Sequence, residues 1–273
     1  MNPSFRIRRL PALQDNLLPL IEDPGHGRAA VVDPATAAGV IEALEAGGMA
    51  LEVVLLTHHH QDHIGGVEPL RRRWPGLQVL GAAADQRRLP RLSRGLRDGD
   101  CFQLFGRTVQ VLAVPAHTRH HIAYVLPATG QERAELFCGD TLFMAGCGRL
   151  FEGTPADLSR ALQRLAELPD ETRVWCAHEY SSTNLAFALE QEPANHTLVA
   201  QIERVKALRQ AGLYSVPSSI GLERAINPFM RVGEPALQQA TGQRSAVQVL
   251  RVLRQRKDAF KPAASPAAGS PRR

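Results

Sequence analysis

The chain has 273 residues, 44% of them hydrophobic and 22% charged, with 32 Lys+Arg against 27 Asp+Glu and a formal net charge of +5. This is the composition of a folded globular protein. It excludes a largely disordered chain, a collagen-like repeat and a disulfide-stapled mini-protein, and no apolar run approaches the ~20 residues that span a bilayer.

The N-terminal stretch MNPSFRIRRLPALQDN has basic residues but no apolar segment ending in a small-residue cleavage site, which predicts a cytoplasmic protein. Ala29–Val32 is a short apolar run ending at Asp33-Pro34. A helical pattern with Val40, Ile41 and Leu44 follows and stops at Gly47-Gly48. Leu51–Leu56 is apolar at nearly every position and predicts a buried strand. A helix is expected over Glu68–Trp74 and a strand over Leu77–Leu80. Two paired strands over 101–105 and 108–114 follow the turn Asp98-Gly99-Asp100. Further strands are expected at Ile122–Leu126, Glu135–Cys138 and Arg173–Ala177. Between the last two, Leu158, Ala161, Leu162, Leu165 and Leu168 repeat at helical spacing up to Pro169. Beyond His178 the text is helical, over roughly 183–191, 195–211 and 245–257, with 212–221 as a connecting loop. The Pro/Ala/Ser-rich end, 263–273, predicts a disordered tail.

Cys101, Cys138, Cys147 and Cys176 lie far apart with no CxxC pair, so reduced thiols are expected rather than a zinc knuckle or a redox dithiol. The positive charge comes from arginine and three lysines (Lys206, Lys257 and Lys261) interleaved with acidic residues. It predicts a mild preference for anionic partners, not a nucleic-acid stripe.

The sharpest signal is Thr57-His58-His59-His60-Gln61-Asp62-His63, directly after the strand 51–56, with Gly65-Gly66 allowing a sharp turn. Imidazole and carboxylate are the ligands that borderline divalent metals prefer. Three more strand-like runs end at a potential ligand: Val109–Val114 before His117, Leu136–Cys138 before Asp140, and Val174–Ala177 before His178. Sites in α/β sheets gather at the carboxyl ends of strands. Seven candidates (His58, His60, Asp62, His63, His117, Asp140 and His178) exceed the needs of one tetrahedral ion and suit two. One carboxylate then bridges, and Asp140 is the natural candidate as the only ligand of its strand.

THHHQDHIGG resembles the signature of the metallo-β-lactamase superfamily. GDTLFMAGCGRLFEGT (139–154), AHEYSSTNLAFA (177–188), INPFMR (226–231) and LRQRKDAFK (253–261) are similar to glyoxalase II, the hydroxyacylglutathione hydrolases, so that the resemblance covers about 1–262. It implies an α/β fold, a four-layer αββα metallo-β-lactamase-like sandwich over 1–178. A smaller all-α glutathione-binding domain over 179–262 would follow it. The resemblance also implies that His58, His60 and His117 hold one metal, that Asp62, His63 and His178 hold the other, and that Asp140 bridges. The metals would be zinc, with iron or manganese tolerated in some members. His59 matches a non-ligand position, and His121 a structural one. For glutathione the resemblance implies contacts from Arg149, Phe151, Tyr180, Arg254 and Lys257. Arg254 and Lys257 share one helix face at a spacing of three.

The implied reaction is hydrolysis of S-2-hydroxyacylglutathione thioesters by a hydroxide held between the metals, with Asp62 and Asp140 as the catalytic carboxylates, in a monomer that takes a small-molecule glutathione thioester and neither nucleic acid nor membrane. The alternatives are a mononuclear iron persulfide dioxygenase or another hydrolase of the superfamily. The chain departs from the family text at Ala116 and His120, where glycines are usual, and at Leu17-Leu18, where an aromatic pair is usual.

Overall fold

The computed structural model describes residues 5–130 and 132–261, so the expected tail at 263–273 lies outside the described residues. The chain runs β1 (Arg6–Ala12), β2 (Asn16–Asp23), β3 (Arg28–Val32), α1 (Ala38–Ala46), β4 (Ala50–Leu55), α2 (Gln61–Ile64), α3 (Val67–Arg73), β5 (Gln78–Ala82) and β6 (Arg94–Leu96). It continues through β7 (Cys101–Leu104), β8 (Arg107–Ala113), β9 (Ile122–Leu126), β10 (Glu135–Gly139), β11 (Leu142–Phe143), β12 (Gly146–Cys147), α4 (Pro155–Ala166) and β13 (Arg173–Cys176). The rest is α5 (Ser181–Gln191), α6 (His196–Gln210), β14 (Ser218–Ser219), α7 (Ile220–Ile226), α8 (Pro235–Thr241) and α9 (Ala246–Ala259).

The strands form two six-stranded sheets, ordered β1-β2-β3-β4-β5-β6 and β14-β13-β10-β9-β8-β7. The apolar residues of both sheets meet in one core. Ile21, Ala30, Val32, Leu55 and Leu80 of the first sheet face Val109, Val111, Tyr124, Phe137 and Trp175 of the second. The outer face of the first sheet packs Val31, Val54 and Val79 against Val40 and Leu44 of α1 and Val67 and Leu70 of α3. The outer face of the second packs Val125, Leu136 and Val174 against Leu158, Leu162 and Leu165 of α4 and Leu250 and Leu253 of α9. These are the four layers of the expected αββα sandwich. Strands buried on both faces read as unbroken apolar runs, which is why β9 and β10 were legible without alternation.

Local signals set the helix ends. Thr154 and Asp157 close a reciprocal capping box at the start of α4, with Pro155 in its first turn. Asn195 caps α6 by accepting from Leu198 N at 3.1 Å. A smaller apolar cluster, including Leu185, Ala188, Leu198, Val205 and Ile226, holds α5, α6 and α7 together with Met144 and Ala145 of the β11–β12 turn.

The stretch expected as a loop over 212–221 instead ends in β14, which pairs antiparallel with β13 through Arg173–Ser219 and Val174–Ser218, and in the first turn of α7. Two residues of strand carry no readable alternation. Ser219 then caps α7 by accepting from Leu222 N. β1, β2, β6, α7 and α8, and the β11–β12 hairpin, also go beyond the elements the sequence predicted.

Candidate metal centre and substrate cavity

Parallel strands aim the site. β4, β8, β10 and β13 end on one side of the sandwich, and the residues that follow them converge there. Asp33 sits at φ 48° just past β3 and receives Thr57 N at 2.8 Å and Thr57 Oγ1 at 2.6 Å. This fixes the turn that launches His58. Gly139 adopts φ +47°, and a Cβ there would stand 2.3 Å from Thr57 Oγ1, so glycine is required where β10 hands over to Asp140.

All seven predicted ligands come together. One nitrogen from each of His58, His60 and His117 lies within 4.8 Å of the others, and so do single ligand atoms of Asp62, His63 and His178. Asp140 stands between the groups. Its Oδ1 is 3.4 Å from His63 Nε2 and 3.4 Å from His178 Nε2, and its Oδ2 is 3.4 Å from His117 Nε2.

Hydrogen bonds outside the cluster decide which imidazole nitrogens face it. His63 Nδ1 donates to Asp33 Oδ2 (3.0 Å), His178 Nδ1 to Asp15 Oδ1 (2.7 Å) and His117 Nδ1 to Arg149 O (2.9 Å). Thr57 Oγ1 already donates to Asp33, so it accepts from His58 Nδ1 at 3.0 Å. Each of these four rings therefore turns Nε2 inward. His60 turns Nδ1 inward, 3.1 Å from His58 Nε2 and 3.0 Å from His117 Nε2.

The donor set fits two divalent cations. Three imidazole nitrogens converging at these distances match the donor spacing of a divalent cation. The buried atoms His63 Nε2 and Asp140 Oδ1 have no hydrogen-bond partner. Burial, reinforced by neighbouring imidazoles, holds His58 well below the ordinary histidine range and His60 at about 4, so both present neutral rings. Burial likewise lowers His117, against an opposing pull from Asp140. On the other side burial disfavours a charged His63, but Asp140 and Asp33 outweigh it and raise the ring well above its usual range. The imidazoles of His178 and His63, with Nε2 3.4 and 3.5 Å from Asp62 Oδ2, hold Asp62 far below the carboxylate range. That half of the cluster thus draws positive charge to itself.

The cluster floors a cavity of about 720 Å³. All five residues expected to touch glutathione line it: Arg149, Phe151, Tyr180, Arg254 and Lys257. Their settings differ. Tyr180 stacks on the His178 ring at 4.8 Å between centroids, and Phe151, 61% exposed, stands edge-on to His60 and His117. Lys257 Nζ lies over the rings of Phe187 and Phe260; burial, then the charge of Arg254, brings it down to about 8. Arg254 is buried, donating to Cys147 O at 2.8 Å and pairing with Asp258 at 3.0 Å, so most of its guanidinium faces protein. Arg149 reaches the same Asp258 at 3.8 Å from the other wall.

The departures from the family text are accommodated. Ala116 is not among the residues with positive φ, so its Cβ imposes no backbone strain. Leu17 and Leu18 are buried in β2. His59 lies outside both ligand groups, 3.0 Å from Asp85 Oδ2. His121 is buried and accepts from Asp140 N at 3.2 Å, bracing the shared carboxylate. His120 lines a separate cavity of about 420 Å³. Sequence reasoning passed over three supports: Asp15, which orients His178; Asn16, whose Nδ2 donates to Asp62 O at 3.1 Å; and Asp33. The Asp15-Asn16 pair before the apolar Leu17-Leu18 was the available signal.

Residues 20–178 match the model of the metallo-beta-lactamase superfamily, and residues 179–260 that of the hydroxyacylglutathione hydrolase C-terminus. A hydroxyacylglutathione hydrolase from a Synechococcus species is 50% identical over 258 residues, covering 94% of this chain and all of the relative. Among solved structures, ETHE1 from Myxococcus xanthus superposes with a TM-score of 0.62 at 25% identity, covering 91% of this chain and 89% of its own. TTHA1623, solved in a di-iron-bound form, superposes with a TM-score of 0.56 at 27% identity over 82% of this chain and 99% of its own. With both parts matched by these models and a hydroxyacylglutathione hydrolase 50% identical over 94% of its length, the chain belongs to the hydroxyacylglutathione hydrolase family of the metallo-β-lactamase superfamily.

Proposed function

We propose that the protein hydrolyses S-2-hydroxyacylglutathione thioesters, S-D-lactoylglutathione foremost, to the hydroxy acid and glutathione. The observation that carries this reading is the placement of a seven-residue metal cluster at the floor of a cavity whose walls bring Arg149, Arg254 and Lys257 together. Glutathione carries two carboxylates beside one ammonium, and Arg149 and Lys257 are the natural counterparts of those carboxylates.

His58, His60 and His117 would hold one divalent ion, zinc in the first instance, and Asp62, His63 and His178 the other, with Asp140 shared. Two such ions, when bound, would supply an acidified water and polarise the thioester carbonyl. The side chains do the rest. Lys257 and Arg149 anchor the glutathione carboxylates, while Arg254 braces the wall between them through Cys147 and Asp258. Tyr180 and Phe151 flank the cluster and confine the acyl end between aromatic faces. Asn16 and the histidines hold Asp62 ionised and turned inward, where it can orient the attacking water. The leaving group needs no strong acid, because a thiol pKa of ~8.5 makes the thiolate a competent leaving group near neutrality.

Residues 1–178 would act as the catalytic unit and 179–262 as the glutathione-holding unit of a cytoplasmic monomer. A mononuclear dioxygenase needs only one donor set. The complete second set, Asp62, His63 and His178, favours the dinuclear hydrolase. The test is thioester loss from S-D-lactoylglutathione by the purified, metal-replete protein. Rapid, chelator-sensitive hydrolysis is expected; no hydrolysis with two metals bound per chain would overturn the reading.

A further inference from the structure

The turn joining β11 to β12 is gripped by side chains of the helical segment. Asn227 Nδ2 donates to Phe143 O (3.2 Å) and Gly146 O (2.9 Å), and Asn184 Nδ2 donates to Met144 O (3.1 Å). Ala145 N donates to Glu223 Oε2 (2.8 Å), and Arg254 Nη1 donates to Cys147 O (2.8 Å). Five consecutive residues thus each give one backbone group to a side chain from α5, the α7 region or α9. Glu223 and Asn227 are both fully buried, and Asn227 Nδ2 lies 2.9 Å from Glu223 Oε2 as well, so its two hydrogens are shared among three acceptors. Ser218 Oγ donates to the other oxygen of Glu223, completing the carboxylate's partners.

The turn needs this support. Ala145 sits at φ 52°, a left-handed conformation that a Cβ disfavours. A two-residue strand on either side supplies little of its own. Yet the segment ends at the cluster on both sides. Asp140 precedes β11, and Arg149, just past β12, accepts from His117 Nδ1 at 2.9 Å. Gly148 packs so closely on Asp140 O that a Cβ there would lie 2.0 Å away. A shift of the turn is therefore passed to the shared carboxylate at one end and to a histidine of the other ligand group at the other.

We propose that Glu223 and Asn227 are positioning residues for the metal centre, clamping the 143–147 turn so that Asp140 and His117 keep their spacing. The helical segment then sets the metal cluster as well as the substrate cavity. The inference rests on the reading of Asp140 and His117 as ligands.

The experiment measures metal affinity by competition with a chelator, and the visible spectrum of the cobalt-substituted full-length chain, for wild type, Glu223→Ala, Asn227→Ala and Glu223→Gln. Measurements are made at a temperature where circular dichroism shows all four folded. Glu223→Ala and Asn227→Ala are expected to weaken metal binding about 10- to 100-fold. They should also alter the cobalt bands and lower kcat with little change in KM. Glu223→Gln keeps an acceptor for Ala145 and is expected to restore wild-type affinity and spectrum. Lowered thermal stability with unchanged affinity and spectrum would overturn the proposal, since the clamp would then be structural only. Should an alanine variant not fold, Asn227→Ser, which is too short to reach the turn carbonyls, carries the same test. A wild-type chain that binds no metal would instead refute the ligand reading itself.

Discussion

Asp15 Oδ1 accepts the Nδ1 hydrogen of His178 at 2.7 Å, across 163 residues of sequence. The bond ties the β1–β2 turn of one sheet to the end of β13 in the other. Backbone bonds lie on both sides of it, Leu17 N to Ala177 O at 2.7 Å and Glu179 N to Asp15 O at 2.9 Å. It also fixes the imidazole so that Nε2 faces Asp62 and Asp140. Asp15→Ala is expected to weaken one of the two metals about 10- to 100-fold, with Asp15→Asn recovering part of the loss. Isothermal titration of the metal-free protein checks this; two equally tight sites in Asp15→Ala would show that backbone bonds alone orient His178.

Asp140 is the group that both donor sets share. Its Oδ1 lies 3.4 Å from His63 and His178 and its Oδ2 3.4 Å from His117. Removing it should therefore harm both halves at once. Asp140→Ala is expected to bring bound metal below two ions per chain and to lower kcat by on the order of 10²–10³ or more. Asp62→Ala should affect chiefly the His63–His178 side. Elemental analysis of the purified variants separates the two cases, and equal metal loss in both would contradict the assignment of Asp140 as the shared ligand.

The His/Asp cluster was legible because the residues that form it follow closely on strands, and a buried strand announces itself as an apolar run whatever its tertiary setting. Leu51–Leu56 before His58 and Val174–Ala177 before His178 are such cases. The supports were not legible in the same way. Asp15, Asp33, Glu223 and Asn227 act through contacts that are distant in sequence, and a lone acidic or amide residue carries no periodic signature. Glu223 bonds to Ala145 across 78 residues, and the strand that precedes it, β14, is only two residues long. Arg254 shows the opposite difficulty. Its helical spacing from Lys257 was readable, but not the fact that it would be buried against Cys147 while Lys257 faced the cavity.

Lys257 links the site to pH. Burial, then the charge of Arg254, lowers its pKa to about 8, so the ammonium is present below that pH and lost above it. If Lys257 binds a substrate carboxylate, kcat/KM should fall on the alkaline side with an apparent pKa near 8. A charge-assisted hydrogen bond contributes about 1.5–3 kcal/mol, so Lys257→Ala should raise KM by about 10- to 100-fold and abolish that limb. Lys257→Arg should move the limb beyond the accessible range, because guanidinium does not titrate there. An unchanged KM in Lys257→Ala would remove this residue from the substrate site.

Glu223 makes the fold itself sensitive to pH. Burial raises its pKa from the ordinary 4.5 to about 7, against the opposing hydrogen bonds from Ser218, Asn227 and Ala145. A carboxyl group whose pKa is raised by folding stabilises the native state fully below its unfolded value. That contribution is lost as pH climbs through the folded value. Wild type should therefore lose stability between pH 4.5 and about 7 relative to Glu223→Gln, which keeps the shape and the acceptor but does not titrate. The Tm of Glu223→Gln minus that of wild type should rise across this window and level off above it, each kcal/mol being worth about 2–4 °C in a chain of this size. Because the comparison is a difference between two proteins that share every histidine, titration of the metal cluster cancels. A difference in Tm that stays flat from pH 4.5 to 7 would mean that Glu223 ionises in the fold as it does in water, and that its hydrogen bonds fully offset the cost of its burial.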